Sequence, residues 1–166
     1  GWAKAAWGML FGPWMAGAAI VLYDGDIRFD AVCHLKLIAK LRVSTFCAPP
    51  TVYRLFTQHD LTTYDLSCIR HSVSAGEPLN PEVIRVWKET TGTVVHDGYG
   101  QTETVNVVAN FPFMPVRPGS MGKAAPGFTV SIVNDDGVSL SNNDIGHIAI
   151  KVTEPHPPGL FHGYYN

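Results

Sequence analysis

Short apolar runs and amphipathic helices alternate four times over the first hundred residues, and few folds accommodate that alternation. Each helix must carry the chain back across the sheet, so successive strands run parallel and are covered by helices. The helix starts are the clearest signals. Asp30 is a fitting N-cap for a helix over Ala31–Arg42, with Val32, Leu35, Ile38 and Ala39 on one face. Asn80-Pro81-Glu82 supplies a cap, a proline at the first helical position and an acid in the first turn. That helix carries Val83, Ile84 and Trp87 inward and stops at Gly92. A further helix is expected over Thr51–Gln58, after Pro49-Pro50. The intervening strands are expected at Ala18–Tyr23, Val43–Cys47, Ile69–Val73 and Val94–His96.

In sheets of this kind ligands bind beyond the carboxyl ends of the strands. Three loops leave that edge: Ala48-Pro49-Pro50-Thr51, Ser74-Ala75-Gly76-Glu77-Pro78, and the stretch from Val95 to Val105. Parallel geometry brings Gly76-Glu77-Pro78 and Tyr99–Glu103 to one side. The last stretch carries the most chemistry. Gly98 and Gly100 let backbone approach a ligand closely or take positive φ. Tyr99 offers a flat face for stacking, Thr102 a hydroxyl for a phosphate oxygen, and Glu103 a carboxylate for a hard cation. These are the parts of a nucleotide site, although an ordinary hairpin or strand–helix loop has the same composition.

Other classes fit less well. The net charge is −2 and no run of Lys or Arg occurs, which argues against a nucleic-acid surface. From Ala5 to Tyr23 no charged residue appears, long enough to raise a membrane span. Pro13 and the glycines at 8, 12 and 17 interrupt it, so a buried helix, a bend near Gly12-Pro13 and a buried strand are expected instead. Cys33, Cys47 and Cys68 are odd in number and lack metal-ligand spacing. They read as reduced core thiols of a cytoplasmic protein. The histidines at 34, 59, 71, 96, 147, 156 and 162 show no ligand spacing either.

Beyond Val105 the texture changes, with Pro112, Pro115, Pro118, Gly119 and Gly122 breaking any helix. Thr129–Val133, the turn Asn134–Gly137 and His147–Val152 read as an antiparallel unit. The chain thus divides into a parallel α/β segment, 1–106, and a β-rich segment, 107–166.

Tyr-Gly-Gln-Thr-Glu at 99–103 resembles the adenine- and magnesium-binding motif of the adenylate-forming enzymes: acyl-CoA synthetases, luciferases and peptide-synthetase adenylation domains. Ser-Ala-Gly-Glu-Pro-Leu at 74–79 resembles the family's adenine-flanking motif, upstream at the usual distance. Gly119-Ser120-Met121-Gly122-Lys123 with Pro126-Gly127, and Gly163-Tyr164-Tyr165, resemble the family's later segments. Gly1-Trp2 and Gly12-Pro13-Trp14 are similar to the region after the phosphate loop in medium-chain acyl-CoA synthetases.

The resemblance implies a middle portion of the large N-terminal domain, a parallel α/β segment leading into an antiparallel β-barrel-like unit. The phosphate loop, the ribose-binding aspartate and the C-terminal lysine are not in the sequence, so this piece alone is expected not to turn over. The implied reaction joins ATP to a carboxylic acid and passes the acyl-adenylate to CoA, with Mg²⁺. Gly76, Glu77 and Pro78 would flank the adenine, and Asp97, Gly98, Tyr99, Gly100 and Gln101 would form its other wall. Thr102 would reach the α-phosphate and Glu103 would coordinate the metal. A domain that loads a carrier protein, or a non-catalytic nucleotide-binding module, are the alternative readings.

The resemblance also implies an acyl pocket at Trp2, Ala3, Lys4, Ala75 and Gly100. Acetate-using relatives close it with a tryptophan where Gly100 stands. Small residues at 3, 75 and 100 favour a longer acid, short-to-medium chain or branched, unless Gly100 serves backbone geometry only. Lys4 either enters the acyl tunnel or snorkels to solvent. Trp7 reads as core. Self-association is the simplest way to cover the apolar surface of so partial a domain.

Overall fold

A computed structural model of the chain describes residues 7–25 and 28–165. Its centre is a five-stranded sheet in sequential order: β1 (Thr45–Cys47), β2 (His71–Ala75), β3 (Val95–Gln101), β4 (Val105–Ala109) and β5 (Lys123–Ala124). The first three strands are parallel, and β4 and β5 add on antiparallel. The helices are α1 (Gly12–Met15), α2 (Ala31–Leu41), α3 (Pro50–Phe56) and α4 (Pro81–Thr91). A separate antiparallel pair, β6 (Val130–Val133) with β7 (His147–Ile150), follows. The α/β class expected from the alternation is therefore present, as is the later antiparallel texture. The sheets do not close into a barrel among the described residues.

Local chemistry sets the helix boundaries. The Asp30 carboxylate accepts from the Cys33 amide at 3.0 Å, and the Asn80 side chain accepts from the Glu82 amide at 2.9 Å. Both satisfy amides that the first helical turn leaves open. The core forms where α2, α3 and α4 meet the sheet, around Leu35, Tyr53, Phe56, Trp87 and Val95, none of them exposed. Tyr53 meets Trp87 edge-on at 5.0 Å and Phe56 stacks on it at 6.0 Å. Two hydrogen bonds fix the helices on β2: buried Trp87 Nε1 donates to Ser72 Oγ at 2.9 Å, and the Tyr53 hydroxyl donates to the Val73 carbonyl at 3.0 Å in a partly buried bond. Burial, chiefly, pushes the Tyr53 phenol far above its ordinary range.

Several expected elements are corrected. Ala18–Tyr23 forms no strand, and Val21, Leu22 and Tyr23 are exposed. A strand needs a partner for its amides and carbonyls, and β1 is the outer strand of the sheet among the described residues. The preceding segment is a π-helical turn, Trp7–Phe11, running into α1, with Trp14 and Met15 exposed rather than buried. No described helix is long and apolar enough to cross a membrane. β2 begins at His71, two residues later than expected, and Ile69 is buried in the approach to it. The strand expected to end at His96 continues to Gln101, and β4 was not anticipated.

Candidate functional site

β2 and β3 pair in register Ser74↔Asp97 and Ala75↔Gly98, so the chain leaves β2 for Gly76 beside the residues leading to Tyr99. Gly76 sits at φ 103°, a left-handed conformation open to glycine. Glu77 reaches across the edge: its Oε2 accepts the Thr51 hydroxyl at 2.8 Å. The first two of the three loops, set at one edge by the parallel strands, are thereby joined.

The third loop is a hairpin rather than a strand–helix connection. Gly98, Tyr99, Gly100 and Gln101 lie within β3, and Tyr99 pairs with Val108 of β4. The register shifts between Tyr99 and Gly100, a bulge of the kind that re-aims side chains beside functional sites. Gly100 has a local cause: a Cβ there would run into the Val105 carbonyl and lie 2.9 Å from Asn106 Cα. Asp97 is nearly buried, its Oδ1 accepting the Gly98 amide at 2.9 Å and its carbonyl accepting the Asn110 amide at 2.9 Å. Beside it, the Ser74 hydroxyl is buried with no hydrogen-bond partner among the described residues.

Thr102 and Glu103 occupy the hairpin turn. Thr104 pins it, accepting the Gln101 amide at 2.9 Å while its hydroxyl donates to the Val105 carbonyl at 3.1 Å. Glu103 meets the far end of the chain. Its carbonyl accepts the Phe161 amide at 2.8 Å, and its Oε1 accepts the Tyr164 hydroxyl at 2.6 Å. The Tyr164 hydroxyl, first, and a backbone amide hold the Glu103 carboxyl below its usual range, and the carboxylate in turn raises the Tyr164 phenol.

The structure thus gathers Ala75, Gly76, Glu77 and Asp97–Glu103 along one edge. Trp2, Ala3 and Lys4 lie outside the described residues, so the acyl-pocket expectation rests on Ala75 and Gly100. Thr51, Thr104, Phe161 and Tyr164 were missed. Thr51 closes a loop already placed on the same edge, which could have flagged it; nothing local could have linked Tyr164 to Glu103.

Residues 2–165 match the family described as AMP-binding enzyme. The chain is 44% identical over 164 residues to the mitochondrial acyl-coenzyme A synthetase ACSM3 of Rattus norvegicus, covering 99% of this chain and 28% of that protein. It is 44% identical over 165 residues to 4-hydroxybutyrate–CoA ligase 1 of Metallosphaera sedula, covering 99% and 29%. Among solved structures, a Brucella canis acyl-CoA synthetase superposes with TM-score 0.89 at 36% identity, over 99% of this chain and 31% of that one. The anthranilate CoA ligase AuaEII, solved with anthranoyl-AMP, gives TM-score 0.83 at 33% identity, over 96% and 30%. The chain spans less than a third of each of these relatives. With the family match running nearly end to end, the chain belongs to the AMP-binding enzymes.

Proposed function

We propose that the full-length protein is an AMP-forming acyl-CoA synthetase acting on a short-to-medium-chain or branched carboxylic acid. The observation that carries the reading is the pairing of Ala75 with Gly98, which sets Gly76-Glu77-Pro78 alongside Asp97–Glu103 at the carboxyl edge. Adenine would lie between these segments, against Tyr99, with Thr102 near the α-phosphate. A substrate carboxylate is already a nucleophile at neutral pH, so the chain needs no general base. One carboxylate oxygen bonds to the α-phosphorus and pyrophosphate leaves; the CoA thiol then displaces AMP from the acyl carbon. The protein's part is alignment and charge neutralisation.

Glu103 suits a magnesium ion. It is an ionised carboxylate at a turn, and no cluster of three acidic, histidine or cysteine groups exists among the described residues. Mg²⁺ takes one or two carboxylates and fills its shell with phosphate oxygens and water. Bound there with ATP, it would supply charge neutralisation at the phosphates. Glu103 and Thr102 are the residues we assign to that chemistry.

Ala75 and Gly100 would face the acyl chain, together with Trp2, Ala3 and Lys4. The three cysteines are thiols, which supports a reducing compartment, and we propose the cytoplasm; relatives named mitochondrial keep a second compartment open to test. Assay of the full-length protein with ATP, Mg²⁺, CoA and straight-chain acids from acetate to octanoate tests the reading. Acid-dependent AMP release that favours acids longer than acetate is expected. Adenylate formation without transfer to CoA would point instead to a carrier-protein acceptor.

A further inference from the structure

The segment from Pro157 to Tyr165 returns to the hairpin turn and grips one residue of it. Phe161 donates its amide to the Glu103 carbonyl at 2.8 Å, and Tyr164 donates its hydroxyl to Glu103 Oε1 at 2.6 Å. Supporting contacts hold the grip in place. Pro157 is buried, the Leu160 amide closes a turn onto the Pro157 carbonyl at 3.2 Å, and Phe161 meets the Tyr164 ring edge-on at 5.0 Å. Gly159 lies against Val105, the first residue of β4. A segment anchored at several points thus delivers one hydroxyl to one carboxylate oxygen, across 61 residues of sequence.

A carboxylate on a turn otherwise rotates freely about its side-chain bonds. The Phe161 bond fixes the backbone of Glu103, and the Tyr164 bond fixes one of its two oxygens. Together they bias the carboxylate toward one placement on the exposed turn. We propose that Tyr164 is a positioning residue for Glu103, holding its carboxylate ready for the divalent cation that accompanies ATP; this rests on the metal role assigned to Glu103 above. Outer partners of metal ligands act in this way, by orienting a group they do not replace.

The test uses the full-length protein and three variants: Tyr164→Phe, Glu103→Gln and the double variant. Tyr164→Phe keeps the ring and its contact with Phe161 and removes only the hydroxyl. Two quantities are read: the Mg²⁺ concentration giving half-maximal adenylate formation, and Mn²⁺ affinity in the presence of ATP, by electron paramagnetic resonance. Tyr164→Phe is expected to weaken both about 10-fold or more, with the rate at saturating metal nearly restored. In the Glu103→Gln background the same change should add nothing, because its target is gone.

Unchanged Mn²⁺ affinity in Tyr164→Phe, while Glu103→Gln abolishes it, overturns the positioning role and leaves the metal site standing. Unchanged affinity in Glu103→Gln overturns the metal reading itself. Limited proteolysis between residues 157 and 165 guards against a trivial cause. If Tyr164→Phe frees that segment, Phe161→Pro, which removes the amide donor but keeps the Tyr164 hydroxyl, is read beside it. An equal Mn²⁺ loss in both would mean that docking of the segment, and not the hydroxyl, is what matters.

Discussion

Thr51 donates its hydroxyl to Glu77 across 2.8 Å, joining the first turn of α3 to the loop that follows β2. Thr51 is half-buried and Glu77 is exposed, so the bond trades with water and contributes modestly. On the proposed function it would hold Glu77 at the edge assigned to the nucleotide. Thr51→Val should raise the ATP KM of the full-length protein by roughly 2- to 10-fold, with kcat preserved. Steady-state kinetics at saturating acid and CoA would check it; a fall in kcat with unchanged KM would remove Glu77 from ground-state binding.

Gly100 carries two requirements that mutation can separate. The hairpin needs it, since any Cβ would meet the Val105 carbonyl. Gly100→Ala should therefore cost about 1–3 kcal/mol of stability, read from denaturant midpoints, and depress activity on all acids alike. The proposed acyl pocket adds a graded effect. Gly100→Trp, compared with Gly100→Ala, should lose octanoate and butyrate kcat/KM more than propionate or acetate. Equal losses across the series would leave only the hairpin role.

His71 gives a pH dependence of stability. Burial first, then the neighbouring His96 and Arg70, depress its pKa below the ordinary 6.5, and the two histidine rings lie 5.0 Å apart. A group whose folded pKa is depressed contributes stability above its unfolded pKa and loses it as pH falls through the folded value. Stability should thus decline on acidification below about pH 6.5, and His71→Gln should flatten that decline. Urea midpoints at about pH 7.5 and about pH 5 would show it. A slope identical in variant and wild type would assign the decline elsewhere.

The segment from Met9 to Tyr23 exposes Phe11, Trp14, Met15, Val21 and Leu22, with Met15 90% and Leu22 81% accessible. So many apolar side chains close together favour association. The 166-residue chain by itself should bind a hydrophobic dye and sediment as a concentration-dependent oligomer. Replacing Trp14, Met15 and Leu22 with Gln, Lys and Ser should reduce both. Dye-silent monomeric behaviour of the unmutated chain would show that the surface is covered.

The fold was legible where its causes are local. Asp30 and Asn80 announced their helices because a cap acts within one turn of the chain, and both caps form. The strands were placed less well because neighbours decide them. Gly98 and Gly100 read as loop residues, yet β3 runs through both, and at Gly100 β4 comes close enough to need glycine. Val105–Ala109 carries Asn106 within its apolar run and has no turn dipeptide before it, so β4 had no sequence signature. Ala18–Tyr23 had the right composition for a strand and lacks a mate among the described residues. At the site, the residue types pointed to the edge, and the parallel register brought them there. What holds Glu103 was invisible, because its partner is specified only by tertiary structure.

That distance in sequence also orders events during synthesis. The hairpin turn closes on itself through Thr104 and Gln101, three residues apart in sequence. Glu103 then waits for 61 further residues before Tyr164 exists to hold it. Domains generally fold as units, N-terminal ones first, and a chain that has not reached Tyr164 lacks the side chain that holds the Glu103 carboxylate. Only a chain translated past Tyr164 can therefore give the Glu103 carboxylate the partner it has here.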